Sequence, residues 1–137
     1  MNRIILFLLL VIGGSAVAQK ADDIIGEYHL KNKLDVRIFV KNNKYFGKII
    51  SLNGYNNNRI YDINNPNKEK RNDSLLGKVI IDNLEYNSNT NKWINGRIYA
   101  PEKGMYLNLK ITETFEGGIE IVGSKYFFWK TMRWKRL

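Results

Sequence analysis

The chain of 137 residues contains no cysteine, one histidine and two prolines. Without cysteine, neither a disulfide nor a thiolate metal site can staple the fold, so stability has to come from packing. A single histidine, His29, leaves base catalysis without a visible partner, and its place on a short amphipathic stretch suits an exposed or structurally bonded residue better. No G-x-S-x-G elbow is present, because "GGSA" falls in the leader, and no glycine loop suited to phosphate is found. Acidic residues are also few, 13 against 22 Lys and Arg.

Only the N-terminus carries a long hydrophobic run. Arg3 is followed by the apolar stretch from Ile4 to Ile12 and by Ala16-Val17-Ala18, an A-x-A cleavage pattern, so residues 1–18 read as a signal peptide. The run is too short for a membrane span and no stop-transfer pattern follows it. The mature chain is expected to start near Gln19 and to form one domain over 19–137. It would be a soluble exported protein, with the periplasm as its expected destination. Losing Arg3 lowers the formal charge from +9 to +8, 21 basic against 13 acidic residues. Such a balance draws a protein towards anionic surfaces, although lysine is also the default surface residue of a chain rich in Asn, Lys and Ile. Export removes most of the case for nucleic acid.

What the mature chain does have is apolar alternation of period two. In "LDVRIFVK", Val36, Ile38 and Val40 share a face, and Asn42-Asn43 then supplies the two positive φ values of a tight hairpin. "KYFGKIISL" returns, with Gly47 mid-strand where a bulge or close backbone contact is expected. "GKVIIDNLEYN" and "KWINGRIYA" flank a turn over Asn87 to Asn91. Pro101-Glu102-Lys103-Gly104 is a type I turn leading into "MYLNLKIT". Glu116-Gly117-Gly118 turns into "IEIVG", and "YFFWKTMRWKRL" sets Phe128, Lys130, Met132 and Trp134 against Trp129, Thr131, Arg133 and Lys135. With "IIGEYHL" these make about eight antiparallel strands. The fold predicted is all-β, an up-and-down barrel, since closure removes exposed sheet edges. Eight strands enclose a space that side chains can fill or that holds one small ligand.

Ser51 to Ser74 breaks the rhythm, being long and almost without apolar alternation. Asn65-Pro66 predicts a helix start with Pro at its first position, running into "PNKEKR". Asp62 is placed to accept backbone N–H groups or to meet the Arg71 guanidinium as a clamp, and Leu75-Leu76-Gly77 re-enters the sheet. Asp62-Ile63-Asn64 opens like a calcium loop, but Pro66 and Asn67 stand where a ligand and the turn glycine belong, so no metal is expected. The segment reads as a lid over one end of the barrel.

The chain resembles the exported bacterial family catalogued as domain of unknown function 2147. The resemblance is carried by "GEYHL", "YFGKI", the crossing residues Asp62, Asn65, Pro66, Arg71, Leu75 and Gly77, then Trp93, Gly96, Ile98, Tyr99, Pro101, Gly104 and Tyr106, and the terminal "WKR". It implies a lipocalin-like, or calycin-like, barrel in the periplasm with no established activity. Members often have a cysteine pair near the crossing and a Gly before the final Trp. This chain has no cysteine, which counts against a redox or metal role of that loop, and it places Trp129 about where the Gly stands, where the resemblance implies an altered or plugged barrel mouth.

Most aromatics, Tyr28, Tyr45, Phe46, Tyr99, Phe128 and Trp134 among them, suit core and cross-strand packing. The candidate ligand-contacting residues are Tyr55, Tyr61, Asp62, Asn65, Arg71, Trp93, Tyr106 and Trp129, as a pocket of aromatics with a few polar groups requires. The leading expectation is a non-enzymatic module binding a small amphipathic or apolar ligand in the barrel mouth, with no cofactor. A second is an envelope accessory protein holding anionic polymer through Lys130, Arg133, Lys135 and Arg136. A third is an enzyme drawing on carboxylates such as Asp62, Asp73, Glu102 or Glu113, which nothing pairs by spacing.

Overall fold

The computed structural model describes residues 20–137, and the expected signal peptide lies outside the described residues. Eight strands follow one another: β1 Gly26–His29, β2 Asp35–Lys41, β3 Lys44–Ser51, β4 Val79–Asn87, β5 Lys92–Ala100, β6 Met105–Phe115, β7 Gly118–Lys125 and β8 Phe128–Arg136. Each pairs antiparallel with the next, and β8 returns to β1, closing an up-and-down barrel. The period-two pattern dictates this result, because each strand turns one apolar face to a common interior. Val36, Ile38, Ile49, Ile81, Leu84, Leu109, Ile111, Ile119 and Ile121 form the core with Trp93, Tyr45 and Trp134.

The turns use the residues that their backbone needs. Asn42 and Asn43 both have positive φ, 52° and 61°, joining β2 to β3 in two residues. Pro101 follows Ala100, whose carbonyl accepts from the N–H groups of Lys103 and Gly104, and Gly104 leaves with φ of 62°. Gly47 sits between two register shifts against β4, and a Cβ there would lie 2.8 Å from Ile81 Cδ1. Alternation overreaches at strand ends: Val40, Phe128 and Lys130 share an apolar register but are exposed, because they stand beyond the core.

One end of the barrel is plugged. A 3-10 turn, Asp22–Ile24, lays the fully buried Ile24 over it. Trp93 Nε1 donates to the Ala21 carbonyl at 2.9 Å, Tyr45 Oη to Asp22 at 2.6 Å, and Tyr28 Oη to the Ile24 carbonyl at 2.8 Å. Arg136 crosses the same segment, donating to the carbonyls of Ile25 and Asp23 and packing on the Tyr28 ring. The other end gathers the Leu30–Leu34 loop, the long crossing from β3 to β4, the Pro101 turn and the tip of the β7–β8 hairpin.

Candidate functional site

The crossing is held by its own chemistry. Tyr61 bridges Ser74, and Leu75 N–H donates to the Ile60 carbonyl at 2.9 Å, so the two arms of the loop zip together. Asp62 is buried, and its carboxylate accepts from Tyr99 Oη at 2.7 Å and Asn65 Nδ2 at 2.8 Å while Lys78 Nζ lies at 3.2 Å. Burial first, and the Asp62 hydrogen bond second, push the Tyr99 hydroxyl well above the ordinary phenol range. Tyr55 is raised in the same way by burial and by donating to Glu102 at 2.9 Å. Asn64 Nδ2 donates to the carbonyls of Pro101 and Glu102, pinning the loop to the β5–β6 turn.

Two local expectations change. The cation paired with Asp62 is Lys78, not Arg71, whose Nε donates to the Asn65 carbonyl at 2.8 Å. The helical turn is 3-10, spans Lys68–Lys70, and is capped by Asn67, whose side chain accepts from Glu69 N–H. Asn65 Oδ1 does accept from Asn67 N–H at 2.9 Å, a cap-like turn, but Asn67 is extended at φ −84° and ψ 111°, so no helix follows Asn65 directly and the helical residues begin at Lys68. Arg71 still stabilises the loop, through a carbonyl rather than a carboxylate.

Beside the Pro101 turn, a half-enclosed cavity of about 300 Å³ enters the barrel. Its wall is apolar, from Leu30, Ile80, Ile98, Leu107, Ile121, Met132 and Trp134, and Lys31, Lys103 and Lys130 stand among its lining residues, each exposed. None of these lysines pairs with a carboxylate among the described residues, and Glu102, the acid of the lining, is engaged by Tyr55. The cavity lies where the barrel closes least completely. β1 meets β8 over only two residue pairs, Tyr28 with Arg136 and His29 with Lys135, so β8 from Phe128 to Trp134 has no ladder partner on its β1 side.

None of the eight residues expected to touch a ligand lines this cavity. Tyr55, Asp62, Asn65 and Arg71 hold the crossing; Tyr61 is half-exposed on its bridge. Trp93 belongs to the plugged end, and Tyr106 lies on the outer wall with the Arg97 guanidinium 4.2 Å from its ring. Trp129 is at the hairpin tip, 76% exposed. The crossing packs the buried Tyr55 and Leu75 against the core at this end, and none of its residues lines the cavity. The residues that do line the cavity were signalled by Lys130, a charge set in register with Met132 and Trp134 on an otherwise apolar face.

The basic residues of β8 are partly committed to structure. Arg133 lies 3.6 Å from Glu120 and stacks on Phe115 at 4.6 Å, and Arg136 ties down the N-terminal segment. His29 Nδ1 meets Asp35 at 2.6 Å, and the other Asp35 oxygen accepts from Asn53, so this pair fastens the Leu30–Leu34 loop to the start of the crossing. Among the described residues, no helix is long and apolar enough to cross a membrane.

A solved structure, protein HP1028 from Helicobacter pylori, described as belonging to the lipocalin family, is similar to the chain with a TM-score of 0.72 and 24% identity, over 84% of this chain and 83% of its own. At that identity the likeness establishes the fold, a lipocalin-like barrel. No curated protein matches the chain. The family described as an uncharacterized protein conserved in bacteria, DUF2147, matches residues 26–136, and the chain belongs to that family.

Proposed function

We propose that the protein is a non-enzymatic binding module, exported to the periplasm, which takes the apolar part of a small amphipathic molecule into the cavity beside β8 and meets an anionic head with Lys31, Lys103 and Lys130. The observation that carries this reading is the combination of an apolar cavity and three lysines at its opening with no carboxylate partners among the described residues. Its volume stands at the lower end of the range of small-molecule sites, about 300–1,000 Å³. Burial of hydrocarbon supplies the affinity, at about 25 cal/mol per Å². The lysines are exposed and screened, so they orient the ligand more than they tighten it.

Polymer binding through β8 draws less support, because Arg133 and Arg136 are engaged within the fold. Catalysis at Asp62 draws less still, since Tyr99, Asn65 and Lys78 already surround its carboxylate beneath the crossing.

A fluorescent long-chain carboxylate titrated into the purified mature protein tests the proposal. Saturable binding is expected, abolished by Leu107→Trp, which fills the cavity, and weakened several-fold by the pair Lys103→Glu and Lys130→Glu. Binding indifferent to Leu107→Trp, in a variant with unchanged circular dichroism, would rule the cavity out.

A further inference from the structure

The tip of the β7–β8 hairpin exposes four consecutive aromatic residues: Tyr126 at 88%, Phe127 at 91%, Phe128 at 82% and Trp129 at 76%. Soluble proteins rarely leave a contiguous apolar patch of this kind without a partner. Backbone conformation makes the choice of residue stranger. Tyr126 has φ of 55°, and of the eleven non-glycine residues with positive φ in the described chain nine are Asn, the residue that tolerates it best. Asn or Gly would suit the turn and the solvent alike. A bulky aromatic at such a position costs backbone strain as well as exposure, and strain of this kind points to use.

Lysines frame the four rings. Lys125 and Lys130 flank them in sequence, with the Lys125 ammonium 5.7 Å from the Tyr126 ring centre. Lys130 also lines the cavity together with Lys31 and Lys103. Rings with polar edges, ringed by long cationic side chains, match the boundary between lipid headgroups and acyl chains, where Trp and Tyr concentrate and lysines reach outward to phosphate.

We infer that the β7–β8 hairpin is a membrane-docking element: Tyr126 to Trp129 enter the headgroup region of an anionic phospholipid bilayer, and Lys125, Lys130 and Lys103 face its phosphates. The hairpin projects from the same end of the barrel as the cavity, so docking brings the cavity's opening to the lipid surface. An amphipathic molecule then passes between bilayer and barrel without its hydrocarbon crossing bulk water. The docking itself is independent of whether the cavity takes such a ligand.

The chain provides its own reporter. Of its three tryptophans, Trp93 and Trp134 are buried and Trp129 is exposed. With vesicles of phosphatidylglycerol and phosphatidylethanolamine, Trp129 emission is expected to shift to the blue, brominated acyl chains to quench it, and the protein to co-sediment. Neutral phosphatidylcholine vesicles and high salt weaken all three. The double variant Phe127→Ser, Phe128→Ser, at surface positions whose loss leaves circular dichroism unchanged, lowers partitioning by about tenfold or more. Lys125→Glu reduces the preference for the anionic vesicles.

Three outcomes overturn the inference. One is the absence of any shift or co-sedimentation with anionic vesicles. Another is equal binding to a soluble polyanion that the Phe127→Ser, Phe128→Ser variant retains, which assigns the face to polymer. The third is a concentration-dependent blue shift without lipid, which assigns the tip to a second copy of the chain. Titration of the fluorescent carboxylate without vesicles separates this result from the cavity: the double-serine variant keeps that binding, whereas Leu107→Trp loses it and still docks.

Discussion

Asp62 is where single residues bear most on the crossing. Its carboxylate is buried and serves Tyr99, Asn65 and Lys78, so Asp62→Ala strands an ammonium and a phenol together. Removing one partner of a buried pair costs about 3–5 kcal/mol, and the partial exposure of Lys78 places this case at the low end. Arg71→Ala loses one hydrogen bond to a carbonyl and should cost about 1 kcal/mol. Urea unfolding of both variants checks the contrast; equal losses would restore Arg71 as the partner of Asp62. The tyrosines set an alkaline limit. Burial raises Tyr28 from 10.0 to about 12, and burial with carboxylate hydrogen bonds raises Tyr45, Tyr55 and Tyr99 further. A phenol whose folded value is raised contributes stability that is fully present below its unfolded value and is lost as pH rises through the folded one. The urea midpoint should therefore fall between pH 10.0 and about 12, and phenolate absorbance from these four groups should emerge with unfolding.

Among the elements, the crossing and the β1–β8 seam behave in opposite ways. The crossing is polar, yet it is tied to the β5–β6 turn at a contact that only glycine allows: a Cβ on Gly104, at φ of 62°, would lie 1.9 Å from the Asn64 carbonyl oxygen. Gly104→Ala is expected to loosen the loop before the barrel, so limited proteolysis should cut between Asn53 and Asp73 sooner than in the parent while circular dichroism is retained. The seam is short, and hydrogen exchange should run faster in β8 from Phe128 to Met132 than in β5, which is paired along both edges. Local chemistry made part of this legible in sequence. Asn65, Pro66 and the residues after them announced a turn, but the extended backbone of Asn67 delays it to Lys68 and makes Asn67 its cap. Asp62 announced a partner, but Lys78 lies across the loop, where sequence distance says nothing.

At the scale of the whole molecule, one end of the barrel is plugged by the N-terminal turn and the other admits a cavity beside a basic, aromatic rim. Filling that cavity with Leu107→Trp is expected to remove amphiphile binding without unfolding the protein, and grafting serines into the hairpin tip is expected to remove membrane docking alone. The two proposed roles are separable because none of the four aromatic residues of the tip lines the cavity, although Lys103 and Lys130 serve both.

By itself the sequence determined the eight strands, their turns and their closure, because period-two alternation and the positive-φ residues between strands are local signals that tertiary packing had no reason to override. Lys130, in register with Met132 and Trp134, was the one local hint of the cavity. Only the tertiary structure decided which aromatics were spent on the plug, as Trp93 was, which on the crossing, as Tyr55 was, and which were left in solvent, as Trp129 was. Tyr55 lies on the crossing, where there is no alternation to read; Trp93 and Trp129 both lie on strands, and what separates them is where each falls relative to the core, which is set by the register of the neighbouring strands in the closed barrel.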